Sequence, residues 1–264
     1  MAVPGPRGHH CSRGAADAVP LRQNRVRLGQ GTAKPNQQAI SFIQVNLNKT
    51  RLAQTELLRK LNKLENYIAL ITEPYCYKQK LCILPRGDNC LPQNRSGHPR
   101  ACILSSKHLK VHEINELKHR DMAIGMIKLD GKSTVIISLY MDIKTSVQTL
   151  ISPALEYCQQ HGYGVLIGTD TNAHHTDWGL SINERGKELE VIIDNYNLVI
   201  QNRGRLPTYE CKLGSSIIDV TMSSRLPMRV DNWRVKRSFN GSDHNTIQYQ
   251  LIICLLYTSP SPRD

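Results

Sequence analysis

Polar residues able to ionise or to bind a cation stand repeatedly just beyond apolar runs. Asn46 and Asn48 follow ISFIQ, Glu73 follows YIALIT, Asp170 and Asn172 follow YGVLIG, and Asp243 and His244 precede TIQYQL. Strands of one sheet end at a common edge, so residues far apart in sequence converge there. Each has a plainer reading taken alone: Asn46 as a helix cap, Glu73-Pro74 as a solvent turn, GTDTN as an Asx-turn. As a set they support a narrower chemistry. The carboxylate of Glu73 with the amide oxygen of Asn46 is a partial cage of hard oxygens suited to Mg²⁺. Asp170, held by Asn172, can position or deprotonate a water, and His244 can donate to a phosphate oxygen as charge builds on it. Together these describe phosphodiester hydrolysis. Its barrier must fall by on the order of 20 kcal/mol in an enzyme, so one base would be insufficient. The same loop does not read as an EF-hand: counting from Asp170, the sixth residue is His175 rather than Gly and the twelfth is Ser181 rather than Glu.

The elements that must position these residues begin at Ile40. ISFIQV reads as a strand, 50–65 as a helix with Leu57, Leu58, Leu61 and Leu64 on one face, and YIALI as a buried strand. MAIGMIKL and STVIISLY, parted by Asp130-Gly131-Lys132, read as an antiparallel hairpin. A helix over 146–161, with Pro153 as a kink or late start, precedes the strand YGVLIG; a helix over 183–196 and strands over 216–222 and 246–251 complete the pattern. Hairpins mixed with strand–helix alternation predict a layered α/β or α+β domain over 40–251.

Outside that domain, residues 1–39 carry Arg7, Arg13, Arg22, Arg25, Arg27 and Lys34 against the single acid Asp17, and read as a basic disordered arm. The stretch 252–264, with its Ser-Pro repeats, reads as a tail foreign to the domain. No apolar run reaches the length of a bilayer-spanning helix and no apolar signal segment opens the chain, so neither a membrane nor export is expected. The net charge of +12 makes a polyanion, and nucleic acid above all, the natural partner. The eight cysteines include no C-x-x-C pair, which disfavours a zinc site and predicts reduced thiols of an intracellular protein.

In order along the chain, Q-x-N (44–46), E-P-Y (73–75), S-x-Y (138–140), G-x-D-x-N-A-H (168–174), I-x-D within the run SIIDVTM and S-D-H (242–244) resemble the endonuclease/exonuclease/phosphatase superfamily. The resemblance is nearest to the apurinic-like endonuclease domain of non-LTR retrotransposons and spans about 40–251. Pro74-Tyr75, where repair apurinic endonucleases usually carry Thr-Lys, favours that retroelement branch, as do HPRACIL (98–104) and the run NAHH. It implies a four-layered α/β sandwich of DNase I type, with two mixed sheets face to face and helices outside. It also implies roles: Glu73 as principal Mg²⁺ ligand (Mn²⁺ being an alternative metal) with Asn46 beside it, and Asp243 as ligand or supporting carboxylate. Asp170 would activate the attacking water with Asn172 bonding the phosphate or nucleophile, Asp219 would orient and charge His244, and Tyr140 would position the phosphate. Asn48, Arg100 and His174 are the candidate substrate contacts, and Asp177 and Trp178 are structural.

The activity implied is nicking of double-stranded target DNA to leave a 3′-hydroxyl that primes reverse transcription. No Tyr-x-Asp-Asp polymerase run occurs, so the reverse transcriptase domain is expected elsewhere in a longer polyprotein, and a chromosomal substrate implies the nucleus. Two rivals stay open: a phosphatase or phosphodiesterase of the same fold acting on a small or lipid phosphate ester, and an inactive DNA-binding remnant. Target-site preference, host and oligomeric state are not legible in the residues.

Overall fold

The computed structural model describes residues 39–82, 88–92, 97–238 and 240–253. Residues 1–38 of the expected arm and 254–264 of the expected tail lie outside the described residues. Ala39, by contrast, opens β1, and Ile252 and Ile253 close β16, so the domain takes in these ends of the two segments because they pair in the first sheet. In chain order the elements are β1 (Ala39–Asn46), α1 (Arg51–Leu61), β2 (Tyr67–Thr72), the small hairpin β3 (Cys76–Tyr77) and β4 (Lys80–Leu81), β5 (Asn89–Leu91), β6 (Ala101–Ser105) and β7 (His112–Glu113). Then come β8 (Met122–Leu129), β9 (Lys132–Tyr140), α2 (Val147–His161), β10 (Gly164–Asp170), α3 (Glu184–Asn195) and β11 (Val199–Ile200). A second small hairpin, β12 (Tyr209–Cys211) and β13 (Gly214–Ser216), precedes β14 (Asp219–Ser224), β15 (Met228–Lys236) and β16 (Thr246–Ile253).

Two six-stranded mixed sheets form, ordered β15-β16-β1-β2-β6-β5 and β11-β14-β10-β9-β8-β7. Three apolar clusters make four layers. Between the sheets, Phe42, Ile68, Leu70, Ile103 and Tyr249 meet Ile127, Ile136 and Leu166. Outside the first sheet, Leu57 and Leu61 of α1 cover Ile43, Val45, Ala69, Ile71 and Cys102. Outside the second, Leu150, Ile151, Leu155, Leu189 and Ile192 of α2 and α3 cover Val135, Ile137, Val165 and Ile167. This is the α/β sandwich that the motifs imply.

Side chains alternate across a strand, so parity decides which face each residue joins. In β1, Phe42 faces the other sheet, and so therefore do Gln44 and Asn46; in β10, Leu166 does, and so do Gly168 and Asp170. The two sheets thus bring Asn46 and Asp170 together at one end of their interface. Gln44 pins this end: its amide nitrogen donates to the carbonyls of Thr169 (3.3 Å) and Val220 (3.2 Å), and its oxygen accepts from Thr221 Oγ1 (2.8 Å). With its polar atoms paired, a buried amide becomes a specific bridge rather than a penalty. Gly168 makes room for it, since a Cβ there would stand 2.6 Å from Leu70 Cδ1 and 2.9 Å from Gln44 Oε1.

The structure alters four local expectations. α1 stops at Leu61, where the N–H of Asn62 bonds back to Leu58 and the chain turns, so Leu64 joins the core from outside the helix. The hairpin loop is only Asp130-Gly131, because Lys132 already pairs with Leu129; both loop residues have positive φ, as a tight hairpin turn requires. SIIDVTM is not one strand: Ser216 belongs to β13, while β14 starts at Asp219, the break being held by Thr208 Oγ1, which accepts from the N–H of Ile218 and of Asp219. Pro153 lies inside α2 and neither delays nor ends it. Strands β6 and β15 were not expected; β15 buries alternate residues of a polar run broken by a bulge between Asp231 and Arg234. Among the described residues, Cys102 and Cys158 are buried thiols, and Cys76, Cys82 and Cys211 are partly or fully exposed ones. Among the described residues no helix is long and apolar enough to cross a membrane.

Candidate active site

At the end of the sheet interface that Gln44 pins, a cleft of about 340 Å³ is lined by Asn46, Asn48, Glu73, Tyr140, Asp170, Asn172, His174, Tyr209, Asp243 and His244, among others. Register explains much of it. Asp170 pairs with Tyr140 of β9 on one side and with Asp219 of β14 on the other, so the three share the inward face. Asn46 faces them from β1 and donates to Asp170 Oδ2 (2.8 Å) and, at the limit of a hydrogen bond, to Glu73 Oε2 (3.5 Å). Its oxygen accepts the N–H of Asn48 (2.7 Å), which orients the amide.

His244 sits on the loop before β16, tied by a bridge between its backbone and that of Tyr209. Nδ1 lies 2.8 Å from Asp219 Oδ2, and Nε2 lies 3.9 Å from Asp170 Oδ2. The direct Asp219–His244 contact expected from sequence is present. Burial disfavours the charged ring, but the charge and hydrogen bond of Asp219, joined by Asp170 and Asp243, outweigh it and raise His244 to about 9. The imidazolium is therefore its form at neutral pH. Burial and the neighbouring charge of Asp219 push the Asp170 carboxyl up, against the pull of His244 and the Asn46 hydrogen bond. Asp170 is thus a stronger base than a solvent-exposed aspartate.

Tyr140 keeps its proton: burial raises the phenol, as do the charges of Glu73 and Asp170, against Arg100 and a hydrogen bond from Asn172. The Arg100 guanidinium lies 4.7 Å from the Tyr140 ring centroid and is bound to Asp121 (2.5 Å) and Asp142 (2.6 Å). Arg100 therefore lies beside Tyr140 rather than on the cleft wall, and its carbonyl also accepts the N–H of Glu73. Asn48, Glu73 and Asn172 all adopt positive φ (45°, 45° and 47°), a left-handed backbone that costs a non-glycine residue on the order of 1 kcal/mol and concentrates where loops must aim side chains.

The loop from Thr171 to Gly179 is built by its own contacts. Trp178 Nε1 donates to Ala173 O, and the N–H of His174 donates to Asn183 Oδ1, the cap of α3. Gly186 lets α3 approach, since a Cβ there would fall 1.9 Å from the His174 carbonyl oxygen. Asp177 pairs with His175 outside the cleft and Trp178 is buried, as structural residues should be. His175 lies between Asp177 (3.4 Å) and Glu190 (3.3 Å), tying the loop to α3.

Sequence reasoning missed three contributors. Tyr209 meets His244 edge-on at 4.9 Å. Arg185 donates to the carbonyls of Asp142, Thr145 and Thr171, joining the loops after β9 and β10. Lys49 places Nζ 2.7 Å from Glu73 Oε1. Donation to carbonyls leaves no motif, whereas Lys49 follows Asn48 directly and its position beside the carboxylate set was a usable signal.

The Glu73 and Asp243 carboxylates that line the cleft are hard oxygen donors suited to a divalent cation of the Mg²⁺ type, whereas Asn46 and Lys49 turn N–H groups toward Glu73, the Lys49 ammonium balancing its charge. Asp170, Asp219 and His244 also bring ligand-type atoms within 4.8 Å of one another. A protonated imidazole has no lone pair to offer a metal, so that trio works as a charge pair with an added carboxylate.

Residues 134–248 match the family model described as endonuclease-reverse transcriptase. The fold is that of apurinic endonucleases: the AP endonuclease of Leishmania major aligns at TM-score 0.56 and 12% identity, over 81% of this chain and 88% of that one. The catalytic domain of Xenopus laevis APE2 aligns at TM-score 0.59 and 13% identity, over 81% and 93%. Within that fold, the endonuclease domain of TRAS1, a telomere-specific non-LTR retrotransposon, aligns at TM-score 0.67 and 25% identity over 80% of this chain and 98% of that domain. A 115 kDa protein of the type-1 retrotransposable element R1DM of Drosophila melanogaster is 25% identical over 230 residues, 78% of this chain. The chain spans about a fifth (21%) of that relative's length. The resemblance drawn from the motifs, to the retrotransposon endonucleases of the endonuclease/exonuclease/phosphatase superfamily, is borne out.

Proposed function

We propose that this chain is a metal-dependent DNA endonuclease that nicks a target strand to prime reverse transcription for a non-LTR retrotransposon. The observation that carries the reading is the convergence, in one cleft, of Glu73, Asp243, Asp170, Asn172, Tyr140 and His244 from both sheets. Glu73 and Asp243 would hold Mg²⁺ or Mn²⁺, which when bound neutralises phosphate charge and polarises the phosphorus. Asn46, expected from sequence as a ligand, instead orients Glu73 and Asp170 through its amide N–H donors, its oxygen being taken by the N–H of Asn48. Asp170 accepts a proton from the attacking water, and its raised basicity suits that task. Asn172 and the neutral Tyr140 phenol hold the phosphate, Tyr140 being steadied by Arg100 against its ring. His244, kept charged by Asp219, donates from Nε2 to a phosphate oxygen as charge grows there. The new P–O bond to water forms as the P–O3′ bond breaks; the 3′-oxygen takes a proton from solvent, leaving a 3′-hydroxyl and a 5′-phosphate. Asn48 and His174, on the cleft wall, contact the flanking backbone.

The excess of positive charge supports a polyanionic substrate. A reverse transcriptase domain of the same polyprotein is the expected partner, and the nucleus the expected compartment, because the substrate is chromosomal. The test is supercoiled plasmid with Mg²⁺. Open circles should accumulate with the native chain and not with Glu73→Gln; plasmid left supercoiled while a small phosphate ester is cleaved would assign the site to another substrate.

A further inference from the structure

We propose that Lys49 is a built-in counter-cation for Glu73: its ammonium holds this carboxylate until a divalent cation arrives, then turns to a backbone phosphate of the bound DNA. The proposal rests on the metal-dependent reading above and extends it to a residue outside the motif set.

Lys49 Nζ stands 2.7 Å from Glu73 Oε1, and the Lys49 side chain is 64% exposed where that of Glu73 is 12% exposed. The two partners are therefore unequal. The lysine can swing into solvent at little cost, whereas the carboxylate is fixed: the Glu73 N–H donates to Arg100 O, its carbonyl accepts the Lys49 N–H (2.8 Å), and Asn46 reaches its other oxygen. Lys49 itself has φ 54° after Asn48 at 45°, two successive left-handed residues that the short link between β1 and α1 imposes. That backbone pairing keeps the root of the lysine beside Glu73 in either side-chain position.

Without a neutralising charge, Glu73 would lie close to Asp170 and Asp243 in one cleft. An ammonium supplies one positive charge through a flexible stem, and a hard divalent cation supplies two and binds several oxygens at once, so it displaces the lysine from Glu73. Where the lysine goes is also shaped. Lys49 and Glu73 line a second cavity together with Gln79, His98 and Arg120, directly beside the cleft. A phosphate neighbouring the scissile one would meet Lys49 and Arg120 there.

The experiment follows Mn²⁺ binding to the full chain by loss of the free-ion paramagnetic resonance signal, for native protein, Lys49→Met, Lys49→Arg and Glu73→Gln. Glu73→Gln defines how much of the bound Mn²⁺ belongs to this site, separating it from any ion held elsewhere, for example near His175. Lys49→Met should bind that Mn²⁺ about three- to fivefold more tightly, the size of a partly exposed ion pair, and Lys49→Arg should stay near native. With Ca²⁺ present, Lys49→Met should bind duplex DNA more weakly, and its plot of log affinity against log salt should flatten by about one phosphate contact. Unchanged or weaker Mn²⁺ binding by Lys49→Met overturns the counter-cation role. If native chain and Glu73→Gln bind Mn²⁺ alike, the metal-dependent reading fails, and this proposal with it.

Discussion

Two histidines in this molecule lie between pairs of carboxylates, and they are built differently. His244 sits between Asp219 and Asp170, all three buried. His175 is equally buried, but its partners Asp177 and Glu190 are 51% and 42% exposed, and its ring packs on Trp178 at 5.2 Å. Each ring has a carboxylate on either side, but His244 Nδ1 lies 2.8 Å from Asp219, while the His175 contacts are 3.4 and 3.3 Å and its Nδ1 accepts the Asp177 N–H. The dielectric around the partners differs too. A buried carboxylate acts on an imidazole at full strength, while an exposed one is screened by water and salt. The first arrangement is accordingly a fixed charge aimed at a cleft, and the second a strut between a loop and α3. A histidine with two acidic neighbours carries chemistry only where those neighbours are removed from water and the ring faces an open space.

The widest separation between the two should appear in nicking. His244→Gln is expected to slow plasmid nicking by about 10²–10³-fold, the range for loss of one group that stabilises charge in the transition state, and His175→Gln to leave the rate near native. Comparable losses for both would erase the distinction. Stability should separate them next. Asp219→Asn leaves a charged imidazole buried without its partner and should cost about 3 kcal/mol in denaturant unfolding, against under about 1 kcal/mol for Asp177→Asn.

The pH dependence sharpens this further. Because His244 is raised from its ordinary 6.5 to about 9 in the folded chain, its ion pair adds stability that is fully present below pH 6.5 and disappears as pH rises through 9. The native chain should therefore lose stability relative to His244→Gln over that window, and a flat difference would mean the ring is not charged when folded. The smallest effect belongs to Glu190→Gln: a few tenths of a kcal/mol at low ionic strength, vanishing in high salt.

How far the sequence foretold this molecule depended on whether a feature is periodic or relational. The convergence of Asn46 and Asp170 on one sheet edge follows from two apolar runs ending in polar residues, and it was legible. Their inward parity was not, because both strands are buried on both faces. The pairing of Asp219 with His244 was legible, though through resemblance rather than spacing. Strand β15 was not, because only alternate residues of MRVDNWRVK are buried and a bulge resets the alternation. Tyr209 and Arg185 were hidden for another reason: one acts through the edge of a ring on His244 and the other through backbone carbonyls, and neither leaves a spacing to count. Arg100 was expected as a substrate contact, but Asp121 and Asp142, from separate loops that only the fold brings together, hold its guanidinium beside Tyr140 and off the cleft wall.

The central claim is that residues from opposite sheets act as one unit on one phosphodiester. A double-mutant comparison of nicking rates tests it most directly, using Asp170→Asn, His244→Gln and the two combined. Groups that serve a single transition state are strongly non-additive, so the combined variant should be little slower than the worse single one. Losses that multiply would mean that Asp170 and His244 act independently, and the shared-phosphate account would be wrong.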